Sequence, residues 1–122
     1  MLLPIEYTVP VNLVIVSALF IVMDVLVGLV KAFSKTGFKS LKMREGLFHK
    51  LGELMCIAFG IVCEISFPLV GITIKLPIAS TICVYIVLME TGSIVENLAI
   101  ISPNIQKVLG KVFGEYKEES EE

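Results

Sequence analysis

The stretch MDVLVGLVKAF, Met23 to Phe33, sets an aspartate and a lysine in an otherwise apolar run. A soluble core rejects such a pair. A membrane helix accepts ionisable side chains only where they find partners or serve a function. Working outward, Ser17, Asp24, Gly28 and Lys31 fall on one helical stripe, and the rest of the surface is Leu, Ile, Val and Phe. The segment therefore has an inward face and a lipid face.

Composition points the same way. The chain is 122 residues long, enough for one domain, with 56% hydrophobic and 18% charged residues and a mean hydropathy of +0.89. Soluble domains carry about a quarter charged residues. So much apolar surface does not fit inside one small core. The charges are sorted: six of the ten Lys/Arg lie between Lys31 and Lys50, and five of the twelve Asp/Glu between Glu115 and Glu122. The basic stretch has little aromatic interleaving, which argues against nucleic-acid binding. Cys56, Cys63 and Cys83 all sit in apolar runs without a CxxC pair and read as buried small hydrophobes. No basic n-region precedes the first apolar run, so it is expected to be retained rather than cleaved.

Three segments have the ~20-residue length of a membrane-crossing helix. They cover residues 9–30, 51–70 and 77–101, so residues 9–101 form the transmembrane domain, after an N-terminus at 1–8. Nothing alternates like a barrel strand. The fold class is an all-α membrane protein. Pro10 and Pro77 sit near helix openings, where a missing N–H costs little. FPLVGITIKLP makes a tight link between segments two and three. The basic loop at 31–50 has a possible amphipathic helix from Ser40 onward, weakened by Gly46. At 102–114, Ser102 reads as an N-cap and Pro103 as a first helical residue. Ile105, Val108, Leu109, Val112 and Phe113 follow at helical spacing, the pattern of a surface amphipathic helix. Residues 115–122 read as a solvated, disordered acidic tail. The positive-inside rule puts the basic loop in the cytoplasm, giving an N-out, C-in topology.

The other spans also carry polar residues. Gly52, Cys56, Gly60 and Glu64 recur every fourth residue, a spacing that lets helices approach closely. Glu90, Ser93 and Asn97 share a face, with Glu96 on a neighbouring stripe. Counting rise per residue, Asp24 and Glu90 both lie ~10 Å inside the boundary. Lys31 and Glu96, near that boundary, are expected to be able to pair. Glu64 is expected level with Tyr85, whose hydroxyl could serve it. An intramembrane carboxylate costs at least ~2.5 kcal/mol, so Asp24, Glu64 and Glu90 read as functional, with burial shared between copies or with a lumen. The plainer readings stand beside these. Asp24 and Lys31 can snorkel or cap each other, Gly52/Cys56/Gly60 can be helix packing alone, and Glu45 and Glu53 around His49 read as surface charge pairing. No nucleophile-and-base spacing, phosphate loop or cofactor motif appears, so no enzymatic activity and no cofactor are expected.

Three pieces in order carry a family resemblance: DVLVGLVKA, SLKMREGLFHK and ETGSIVENL. The matching positions are Asp24, Gly28, Lys31 and Ala32, then Arg44, Glu45, Gly46 and Lys50, then Glu90, Ser93, Ile94, Glu96 and Asn97. In this order, over residues 20 to 110, the chain resembles the small phage holins of the toxin-secretion/phage-lysis family, which includes clostridial toxin-release holins. It departs from many of them in its acidic terminus. The resemblance implies a multi-pass protein of the bacterial cytoplasmic membrane that forms homo-oligomeric holes, releasing endolysin, or toxin in some relatives. On that reading Asp24, Gly28, Lys31, Gly60, Glu64, Glu90, Ser93, Glu96 and Asn97 are candidates for oligomer contacts or pore lining. Two other functions remain open: a small ion channel or transporter using the intramembrane carboxylates, and an antiholin-like membrane interaction protein.

Overall fold

A computed structural model describes residues 7–37, 39–104, 107, 108 and 111. Three helices account for most of them: α1 (Val11–Lys31), α2 (Ser40–Leu69) and α3 (Ile78–Ile101). Each is long and apolar enough to cross a membrane. Pro10 and Pro77 are the residues immediately before α1 and α3, where proline's missing donor leaves no gap in the ladder.

Between α1 and α2 the chain first loosens into a π-helical turn, Ala32–Thr36, then reverses at Gly37, whose φ of +82° lies in the left-handed region. α2 begins at Ser40 and runs without a break into the second span. The expected boundary at residue 51 is therefore not a structural one. The amphipathic start and the apolar run form one helix of ~45 Å, longer than the ~30 Å hydrocarbon core, so its first turns project beyond the apolar zone. Gly46 is absorbed because most positions around it are good helix formers.

α2 ends in a Schellman motif. The Ile72 amide donates to Phe67 O at 2.9 Å and the Gly71 amide to Pro68 O at 3.3 Å, with Gly71 at φ +82°. Residues 72–77 then link to α3 without regular secondary structure; of the two prolines in the stretch, Pro68 lies in the last turn of α2 and Pro77 immediately precedes α3.

α3 is the central helix. α1 packs mainly on it, α2 packs on it too, and α1 and α2 meet only slightly. Each helix buries one narrow stripe: Ser17, Ile21, Asp24 and Val27 on α1; Glu53, Ile57, Gly60 and Cys63 on α2; Ala79, Cys83, Ile86 and Glu90 on α3. Ile21, Ile57, Cys83 and Ile86 form the apolar centre. Leu13, Val14, Ile61 and Ile82 pack partly against it, and many other large side chains, such as Leu19, Phe59 and Leu88, face outward. In water this would be a liability; in lipid it is the required surface. Packing and polar contacts, not apolar exclusion, then hold the helices together. Ser17 supplies one such contact, its hydroxyl lying 2.8 Å from Leu13 O in its own helix and 3.2 Å from Cys83 O in α3.

Of the helix expected at 102–114, residues 103, 104, 107, 108 and 111 are helical; the others, like the tail at 115–122, lie outside the described residues.

Candidate functional site: an ionic cluster inside the bundle

The buried stripes converge on charge at one end. α1 and α3 run parallel and α2 runs against them, so Asp24 and Glu90 come late in their stripes while Glu53 comes first in its own. Each helix thus brings one carboxyl to the same level. Glu90 is 2% exposed, Asp24 6% and Glu53 7%.

Lys50 ties them together. Its Nζ lies 2.7 Å from Asp24 Oδ2 and 2.7 and 2.6 Å from the two oxygens of Glu90. These contacts occupy the three donors of an ammonium and join all three helices. Asn97 Nδ2 donates to Asp24 Oδ1 at 3.4 Å. Glu53 is held less well. Both of its carboxylate oxygens are buried without a hydrogen-bond partner among the described residues. Lys50 Nζ lies 3.6 Å from Glu53, and the Nε2 of the exposed His49 imidazole 3.3 Å.

This arrangement corrects several expectations. The cation that meets Asp24 is Lys50, not Lys31, and no ion pair joins Lys31 to Glu96 among the described residues; Glu96 faces outward. Burial of Asp24 and Glu90 needs no second copy, because one protomer shelters both. The expected pairing of His49 with Glu53 is present, but Glu53 is an interior residue rather than a surface one, and only His49 is exposed. Gly28 faces Asn97, since a Cβ on it would stand 4.0 Å from Asn97 Nδ2. Ser93 is half-buried, and Arg44 and Glu45 are exposed on the first turns of α2.

The every-fourth-residue stripe on α2 also divides. Four residues turn a helix by about 40° more than a full circle, so the row drifts by about 120° from Gly52 to Glu64. Gly52 and Cys56 accordingly face outward, while Gly60 meets α3. A Cβ at Gly60 would lie 2.9 Å from Ile82 Cδ1 and 3.1 Å from Ala79 Cα.

Glu64 performs a separate task at the opposite end. Its Oε1 accepts from the backbone amide of Ala79 in the first turn of α3. Pro77 cannot cap with a side chain, so a carboxylate from the neighbouring helix satisfies an orphan donor at the positive end of the dipole. Tyr85, the expected partner, faces outward. Tyr7, ahead of α1, sits beside Glu64 instead; burial first, and that carboxylate second, push its hydroxyl above the ordinary tyrosine value. Glu64→Ala is expected to cost about 1 kcal/mol, the usual worth of a lost cap. Hydrogen exchange in bilayers would then show the Ala79 amide opening about fivefold more often. Glu64→Gln, which keeps an acceptor, should recover most of that. An unchanged exchange rate in Glu64→Ala would remove Glu64 from this role.

Chemically, the cluster is an internal clamp between helices. Among the described residues, no group of His, Cys, Asp and Glu is arranged to hold a metal ion. The model of the bacteriophage holin family matches residues 8–118, covering all three helices and every member of the cluster. The chain belongs to the bacteriophage holin family. No curated protein and no solved structure matches it. Holins are non-enzymatic membrane proteins, and three membrane-length helices with a lipid-type exterior agree with a multi-pass member of the family.

Proposed function

We propose that copies of this chain accumulate in the cytoplasmic membrane of a bacterial host and assemble into holes that pass endolysin, or a toxin, and end in lysis. The family match carries this reading. The geometry adds a physical reason for a dispersed stage before the holes. One protomer buries Asp24 and Glu90 against its own Lys50, so these two carboxyls need no second copy to reside in lipid, while Glu53 is left without a hydrogen-bond partner of its own among the described residues. The protomer's packed three-helix interior leaves no passage for a protein, so a hole of that size requires many copies.

On this reading the cluster is a latch. Assembly turns polar stripes that face inward in the protomer toward neighbouring copies or the lumen, so Lys50 must exchange partners as holes form. Asp24, Glu90 and Asn97 are the first candidates to line the new contacts, with Gly28, Lys31 and Ser93 beside them. Lys31 to Lys50 would lie on the cytoplasmic side, with the N-terminus outside.

Inducible expression in a bacterium tests the proposal. Membrane potential and leakage of a large cytoplasmic reporter are followed together. The expected result is a delay, then sudden collapse of potential with reporter release. A steady ion-selective conductance without protein leakage would replace the proposal with a channel. An intact potential would replace it with an antiholin-like role.

A further inference from the structure

A cavity of about 320 Å³ opens between the end of α1, the π-helical turn and the first turns of α2. It exists because α1 and α2 pack on α3 rather than on each other, and because Gly28 and Gly46 on its two walls carry no side chains. A Cβ added at Gly46 would meet nothing within 4 Å. Leu29, Met43 and Leu47 give it an apolar wall, and Lys31, Lys39 and Lys42 stand around it. These three lysines differ from Lys50, which the carboxylates neutralise; none has an ion-pair partner among the described residues.

Uncompensated ammonium groups around an apolar-walled cleft at the end of a membrane span fit a phosphate ester attached to an acyl chain. We propose that the cavity binds an anionic glycerophospholipid, its phosphodiester on Lys31, Lys39 and Lys42 and the start of an acyl chain against Leu29, Met43 and Leu47. The lipid then fills the gap between α1 and α2 that protein contacts leave open. Asp24, Lys50 and Asn97 of the ionic cluster form the inner end of the same cavity, so the lipid would sit against the clamp; its binding is measured on the dispersed protomer and is tested whether or not holes form.

The test uses the full chain reconstituted in zwitterionic vesicles, with phosphatidylglycerol, with inorganic phosphate, or with neither. Bound lipid is read by native mass spectrometry after gentle detergent release. The parent protein is expected to retain phosphatidylglycerol and to ignore inorganic phosphate. Lys39→Gln with Lys42→Gln should weaken retention roughly thirtyfold, from two lysines each contributing about fivefold. Gly46→Leu, which fills the cleft without altering charge, should abolish retention while circular dichroism still shows the parent's helix content. Equal retention by parent and variants would overturn the proposal. So would phosphatidylglycerol being displaced by inorganic phosphate, which would assign the lysines to a free anion.

Discussion

Lys50→Met is expected to destabilise the folded protomer by roughly 3–5 kcal/mol, the cost of leaving buried charge without its partner. The methionine keeps most of the stem's volume, so little of the loss comes from packing. What disappears is the ammonium that contacts Asp24 and Glu90 and lies 3.6 Å from Glu53. Three carboxyls on three helices would then face one another inside one end of the bundle. Unfolding in mixed micelles, followed by helicity or by steric trapping, measures the loss. Adding Asp24→Asn, Glu53→Gln and Glu90→Gln to Lys50→Met should restore most of the stability, because a buried ionic group exchanged as a whole for neutral groups is often tolerated. If Lys50→Met alone unfolds at the parent's midpoint, the clamp is not what holds the helices.

Gly60→Leu is expected to separate α2 from α3. The added Cβ alone falls 2.9 Å from the end of Ile82, which can move, and 3.1 Å from the Cα of fully buried Ala79, which cannot. Overpacking of this kind costs about 1–3 kcal/mol and more where backbone must shift. The shift would also draw Glu64 away from the Ala79 amide, because the two contacts occupy the same crossing. Expression of this variant is therefore expected to give readily proteolysed protein and, on the proposed function, no lysis. Gly52→Leu is the matched control: it lies on the same helix with nothing within 4 Å, and should behave as the parent does. Equal lysis by both variants would show that the α2–α3 crossing is not needed.

Much of the architecture was legible because lipid imposes strong rules. Three apolar runs, prolines at two helix starts and a glycine in the last turn state the fold almost directly. The inward stripe of α1 was legible too, since Ser17 and Asp24 both keep to it. Lys50 was missed for a specific reason. Placing the start of the second span at residue 51 made it a loop cation, whereas the helix starts at Ser40 and carries Lys50 on its inward face. The signal is present: Lys50, Glu53, Ile57 and Gly60 are separated by steps of three, four and three, which stay on one face, and the row crosses the assumed boundary. Steps of four alone led instead to Gly52 and Cys56, which drift away from it. The cap made by Glu64 depends on which residue of α3 stands opposite, and no spacing within one segment reports that.

The most direct test of the central claim is solid-state NMR on protein dispersed in lipid bilayers, labelled to measure couplings between Lys50 Nζ and side-chain carboxyl carbons. The account predicts couplings from this one nitrogen to both Asp24 and Glu90, in protein diluted with unlabelled copies so that only contacts within a protomer are seen. Couplings that vanish on dilution, or a Lys50 ammonium coupled only to water, would contradict it.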